Sequence, residues 1–320
     1  MSNTSRVSLV TGAGGFVGAN LVRRLVNQGE RVHALVRADK PNWRLADIAD
    51  KITWHKADLC DKATVRTIAH TVQPEFIYHL ATAGVYAGAH VSDSEMIENN
   101  VCGFINLVDA VSDLNYACFI NTGSSAEYGQ KQNPMHEADI CEPTTAYGIS
   151  KLAATHYATL VAQKESRPIV TLRLFSPYGP YDDASRLMSY AIARASRGEN
   201  LSLGDPQSVR DFVYIDDVIE AYVQCAKNAV KCRGEVFNIG SGGEFSVRTV
   251  VEKILQKVGS SSQCSWRNAN AGRPWESSRW QADISKAKKM LDWEPKVSLD
   301  KGLDKTLLWF GKNQSFYKDI

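Results

Sequence analysis

Two residues with complementary proton chemistry lie four apart in the stretch TTAYGISKLAATHY: Tyr147 and Lys151. On a helix that spacing puts both side chains on one face. A phenol titrates at about pH 10, too high for a base near neutrality. A nearby ammonium favours the phenolate, so the pair is expected to make a usable acid/base. The spacing by itself occurs in many helices; its companions give it weight. NTGSSAEYG ends an apolar run with Ser124 and Ser125, RLFSPYGP places Ser176 after a later run, and VRDFVYIDDV carries Arg210 at the polar entry to another. Hydroxyls at the carboxyl end of a strand sit where open α/β sheets carry ligands.

A second constellation is VTGAGGFVGANL, with Gly12, Gly15 and Gly18 at intervals of three between one apolar run and the next. A strand that turns at once into a helix needs the backbone freedom of a glycine at Gly12. Gly15, lacking a side chain, lets a pyrophosphate approach the backbone, and Gly18 allows close packing of the helix. The helix N-terminus then offers free N–H groups and partial positive charge. The pattern reads as a dinucleotide cradle, although G-x-x-G-x-x-G departs slightly from G-x-G-x-x-G. An acid at the end of the second strand binds the ribose of NAD. Here VHALVRADKPNWRL offers Val36 or Arg37 instead, with Lys40 and Arg44 nearby. A guanidinium suits a 2′-phosphate. The expected cofactor is therefore NADP, with NAD as the alternative if Asp39 does the acid's work.

These residues need elements to hold them. Apolar runs predict strands at 6–11, 31–37, 51–55, 75–80, 115–121 and 168–174. Helical patterns fill 16–28, 61–72, 93–113 and 144–163, and Gly29 stops the first helix. The alternation implies an α/β fold, a doubly wound parallel sheet of Rossmann type. Beyond it lie a loop-rich stretch at 176–210, a helix from about 217 to 229 and a strand at 235–239. Helices follow near 246–258, 284–291 and 300–311. The expected division is a dinucleotide-binding domain, 1–175 plus about 211–239, and a smaller C-terminal substrate-binding domain, 176–210 and 240–320.

The totals agree with this reading. With 320 residues the chain can hide roughly 75% of its unfolded surface, and needs no staple of disulfide or metal. Its 37 Lys+Arg nearly balance 35 Asp+Glu, so no nucleic-acid partner is expected. The cysteines, an odd seven, are scattered without a C-x-x-C pair, which predicts reduced thiols in a cytoplasmic protein and no zinc site. No apolar run reaches the ~20 residues of a membrane span. Of the histidines, His79 reads as structural, and His90 and His136 as weak candidates in substrate-side loops. Asp216 and Asp217 read as caps of the following helix.

Taken in order, the blocks TGAGGFVG, Asp58-Leu59, HLATA, NNVCGFINLVDA, GSSAEYG, Tyr147/Lys151, RLFSPYGP, VRDFVYIDDV, NIGSG and GRPWESSRWQADISKA span nearly the whole chain. In these the chain resembles the extended short-chain dehydrogenases/reductases, the nucleotide-sugar epimerase, dehydratase and reductase group. The resemblance implies that Ser124 is the catalytic hydroxyl, Tyr147 the acid/base, and Lys151 the lysine that also holds the nicotinamide ribose. Together with the glycine and Arg37 readings above, the resemblance gives the expected cofactor contacts as Gly12, Gly15, Phe16, Val17, Gly18, Arg37, Asp58, Leu59, Leu80, Ala81, Thr82 and Asn100, beside Tyr147 and Lys151. It implies nucleotide-sugar contacts at Ser125, Ser176, Arg186, Arg210 and Arg273, where Ser176 replaces a more usual Asn. The 4,6-dehydratases of the group carry an acid pair, or Ser-Glu, after the catalytic hydroxyl. Here Ser125 and Ala126 stand there, and Glu127 is displaced by one. The expected reaction is thus NADPH-dependent reduction of an NDP-4-keto-6-deoxyhexose. The alternatives are NAD-dependent 4-epimerisation of a nucleotide sugar and, more remotely, a non-catalytic NAD(P) sensor. The resemblance also implies a homodimer through the helices near 93–113 and 144–163.

Overall fold

The structure, a computed structural model, describes residues 5–37, 43–84, 91–267 and 279–317. Its first half alternates strand and helix as the apolar runs require. β1 (Val7–Thr11) leads into α1 (Phe16–Asn27), then β2 (Arg31–Val36), a 3₁₀ segment over Trp43–Lys51 and β3 (Ile52–Lys56). Next come α2 (Lys62–Val72), β4 (Phe76–His79), α3 (Asp93–Ile97), α4 (Gly103–Ala110), β5 (Cys118–Ser124), α5 (Ala146–Lys164) and β6 (Ile169–Leu174). The second half holds β7 (Ser176–Tyr178), α6 (Leu187–Ser196), β8 (Leu201–Leu203), β9 (Val209–Arg210), β10 (Phe212–Tyr214), α7 (Ile215–Asn228) and β11 (Val236–Ile239). It closes with β12 (Phe245–Ser246), α8 (Val247–Val258), β13 (Cys264–Trp266), α9 (Ser285–Leu291) and α10 (Leu299–Lys312).

The central sheet has the order β11-β6-β5-β4-β1-β2-β3, and every pairing in it is parallel. Side chains alternate across it with the strand period of two. Val10, Ala34, Tyr78, Ile120 and Val170 join the core that includes α1 and α7. Their neighbours Leu9, Leu35, Ile77, Phe119 and Ile169 join a second core with α2, α4 and α5. Burial on both faces explains why these strands read as continuous apolar runs. The strand order reverses between β1 and β4, which opens a crevice at their carboxyl ends.

Three expectations are corrected. The stretch 176–210 is not mainly loop, because it contains the ten-residue α6, whose small residues Ala191, Ala193 and Ala195 are buried. The helix expected over 93–113 is two helices joined by a π turn at Glu98–Cys102, which carries the buried Asn100. Asp217 does not cap α7; its carboxylate accepts the N–H groups of Lys296 and Val297 at 3.0 and 2.9 Å, tying the chain before α10 to α7. Asp216 instead pairs with Lys305 at 3.0 Å.

Candidate active site

The crevice is built around the turn after β1. Gly12 has φ +67°, and a Cβ added there would lie 2.5 Å from the Ala81 nitrogen, so the turn packs directly on the loop after β4. A Cβ on Gly18 would lie 2.2 Å from the Gly12 oxygen, so the first turn of α1 folds back on the strand end. At Gly15 an added Cβ would meet only the Gly12 oxygen, at 3.2 Å. α1 starts with no side-chain cap and no acid in its first turn. Its unpaired N–H groups and positive dipole end are left for an anion. This cradle fits the pyrophosphate of a nicotinamide dinucleotide.

A cavity of about 1010 Å³ follows the switch point. At the β2–β3 end it is lined by Arg37, Trp54, Lys56, Asp58 and Leu59; at the centre by Gly12, Gly15, Phe16, Val17, Gly18, Leu80, Ala81, Thr82 and Asn100; at the β5–β6 end by Ser124, Tyr147, Phe175 and Arg186. Trp54 and Lys56 are absent from the expected set. The pairing of Val36 with Lys56 and of Ala34 with Trp54 puts them on one face of the sheet edge. Alternation along β3 was the available signal for them.

Arg37 stands at the end of β2 with Nη1 3.2 Å from Asn99 Oδ1. Arg44 is committed elsewhere: its guanidinium donates to the main-chain oxygens of Tyr181 and Gly14 at 2.8 and 3.3 Å and stacks over Trp43. It ties the 3₁₀ segment to the glycine turn. Asp39, Lys40, His90 and Arg273 lie outside the described residues.

The chemistry end is assembled from β5 and α5. Thr145 caps α5 by accepting the Gly148 N–H at 3.1 Å. A Cβ on Gly148 would lie 2.4 Å from the Ala126 oxygen, so the helix start is pressed against the turn that follows Ser124. This approach brings Tyr147 beside Ser124. Asn100 fixes the same helix from the other side: its amide exchanges hydrogen bonds with Ala83 at 2.7 and 3.1 Å and donates to Ser150 Oγ at 3.0 Å. Ser150 in turn donates to the Tyr147 carbonyl at 2.8 Å.

The charge states differ from the sequence expectation. Burial pushes the Tyr147 phenol up to about 12, while hydrogen bonding by Ser124 and Thr82 and the charge of Arg186 pull it partly back, against the raising charge of Glu127. The buried Lys151 is itself pushed down to about 8, against the opposing charge of Glu127. Tyr147 is therefore a neutral proton donor in this state. His79 is buried with Nδ1 2.8 Å from Thr11 Oγ1, and burial with the Lys151 charge drives it down to about 3. It is a neutral structural residue.

Other expected contacts are placed outside the cavity wall. Ser176 lies on β7, where its N–H donates to the Asp211 oxygen at 3.0 Å. Arg210 pairs with Phe245 across β9 and β12, and its Nη1 donates to the Val209 oxygen at 2.9 Å. Ser125 begins the turn after β5. His136 shapes its own loop, with Nδ1 accepting the Ala138 N–H at 3.0 Å. Glu127 is fully buried: Oε1 accepts the Ser124 N–H at 2.8 Å and Oε2 meets Arg173 Nε at 2.7 Å. The pattern Ser124-x-x-Glu127 is a capping box, a signal that was legible before the structure. Among the described residues no group of three or more His, Cys, Asp or Glu is placed to hold a metal. No described helix is long and apolar enough to cross a membrane.

Sheet order, the glycine cradle, the hydroxyl at the end of β5 and the phenol and amine of α5 define an NAD(P)-dependent enzyme of the extended short-chain dehydrogenase/reductase class. The family model for GDP-mannose 4,6-dehydratase matches residues 9–306, and the chain belongs to that family. A dTDP-glucose 4,6-dehydratase of Xanthomonas campestris is 29% identical over 342 residues, covering 98% of this chain and 95% of its own. The structure of a UDP-glucose 4-epimerase from Thermotoga maritima, with UDP-glucose, aligns with TM-score 0.88 and 27% identity over 96% of this chain and 99% of that one. A UDP-glucuronic acid 4-epimerase from Bacillus cereus, in complex with UDP-glucuronic acid and NAD, aligns with TM-score 0.85 and 26% identity over the same shares.

Proposed function

We propose that the chain is an NADPH-dependent reductase acting at C4 of an NDP-4-keto-6-deoxyhexose. The observation that carries this reading is the convergence of the Ser124 hydroxyl and the neutral Tyr147 phenol on the cavity that begins at the glycine cradle. The dinucleotide, when bound, supplies hydride. Ser124 Oγ accepts the Ala126 N–H at 3.2 Å and hydrogen-bonds the Tyr147 phenol, so its hydroxyl is aimed where a substrate carbonyl oxygen would sit beside that phenol. Tyr147 gives that oxygen its proton, and Lys151 supplies the local positive charge. Water elimination needs a placed acid and base; Ser125 and Ala126 provide neither, and Glu127 is locked to Arg173.

Arg37 at the end of β2, lining the cavity, supports the choice of NADP. The Arg37→Asp protein is expected to lose NADPH affinity by about tenfold or more relative to NADH, since a tenfold change needs only ~1.4 kcal/mol; titration calorimetry with both cofactors measures the ratio. An unmoved ratio refutes the assignment. The relatives named above favour a second reading, nucleotide-sugar 4-epimerase. A panel of sugar nucleotides and their 4-keto forms separates the two: the reductase consumes NADPH in step with product, whereas an epimerase shows no net change in nicotinamide absorbance. The second, smaller substrate domain remains part of this proposal. So does a homodimer, supported by the exposed apolar Ile149 and Leu160 on α5.

A further inference from the structure

The buried Glu127–Arg173 pair stands behind the site without lining its cavity. A buried ion pair is a poor source of stability, because desolvation offsets its attraction. Arg173 Nη1 moreover finds no partner among the described residues. The arrangement around the pair is nonetheless closely specified. Arg173 on β6 lies over the Tyr128 ring at 4.5 Å, and the Tyr128 hydroxyl is held by Asn238 Oδ1 at 2.7 Å. At Gly123 an added Cβ would lie 2.6 Å from Glu127 Oε1 and 3.0 Å from Arg173 Cγ, so the residue before Ser124 must leave room for the pair. The carboxylate oxygen not used by Arg173 accepts the Ser124 N–H.

We propose that Glu127 is a positioning residue: with its charge balanced by Arg173, its side-chain oxygen holds the Ser124 main chain so that the Ser124 hydroxyl meets the substrate oxygen beside Tyr147. This deepens the reductase reading and rests on it for the role of Ser124. Neither residue touches the substrate.

Two double variants remove the buried charges together and differ in one atom set. Glu127→Gln with Arg173→Met keeps an amide oxygen for the Ser124 N–H; Glu127→Leu with Arg173→Met has none. Both lack an unpaired buried charge, so thermal unfolding is expected to place them close together. In the Gln/Met protein kcat stays within about threefold of the parent. In the Leu/Met protein kcat falls about tenfold or more, with KM and cofactor Kd nearly unmoved, as expected for a misplaced catalytic hydroxyl. Amide hydrogen exchange over residues 121–128, with NADP bound, needs no substrate and separates this proposal from the reaction assignment. The Ser124 segment exchanges faster in Leu/Met than in Gln/Met. Equal exchange in the two proteins overturns the proposal whatever the substrate proves to be, as does equal kcat. Joint loss of cofactor binding and kcat also overturns it, by making the pair merely structural.

Discussion

At the scale of single residues, the decisive feature is which proton each group holds. Tyr147 is pushed to about 12 by burial and so begins as an acid, whereas Lys151 is pushed down to about 8. Replacing Tyr147 by Phe removes the donor and is expected to lower kcat by about 10²–10⁴, with cofactor affinity within about twofold by calorimetry; loss of binding at full chemistry would contradict the role. The pH profile follows from the same groups. Lys151 is cationic below its value and neutral above it, so kcat/KM is expected to fall as pH rises through about 8, long before the phenol ionises. Steady-state rates across that interval check the sign. The spacing of Tyr147 and Lys151, and the hydroxyl at Ser124, were legible because each rests on a local rule. The source of the phenol's shift was not, because burial and the approach of Arg186 come from residues distant in the chain.

At the scale of elements, the site depends on how closely α5 meets the turn after β5. Gly148 has no room for a Cβ beside the Ala126 oxygen. Gly148→Ala is expected to cost about 1–3 kcal/mol of stability. It should also lower kcat about tenfold or more by displacing Tyr147. Calorimetric melting and steady-state kinetics measure both, and an unchanged kcat would sever Tyr147 placement from this contact. The sheet strands were legible because both faces are buried, leaving runs such as VSLVT and FIYH nearly unbroken. α6 was not, since LMSYAIARAS is rich in small residues and lies among Pro and Gly turns. The two- and three-residue strands β8, β9, β12 and β13 are too short to show a period, and the π turn at Glu98–Cys102 has no signature in residue spacing.

At the scale of the whole molecule, one core runs from Val10 in the sheet to Tyr317 near the C-terminus, so the cradle and the C-terminal elements share one packed interior. That continuity was not legible, because it depends on non-local contacts such as Trp293 Nε1 donating to the Asp217 oxygen at 2.9 Å. Outside the core, Ile149 and Leu160 lie three turns apart on one face of α5, 49% and 56% exposed. The proposed dimer covers this face. Leu160→Glu is expected to convert the dimer to monomer in light scattering at micromolar concentration, and an unchanged mass would place the interface elsewhere.

The most direct test of the central claim follows the hydride. NADPH carrying deuterium at both transferable positions is incubated with the protein and an NDP-4-keto-6-deoxyhexose, and the product is read by NMR. Reduction by the Ser124–Tyr147 site predicts a single deuterium at C4, NADP formed in equal amount, and loss of both in the Tyr147→Phe protein. A sugar product without deuterium at C4, or undiminished transfer without the Tyr147 hydroxyl, would contradict the account.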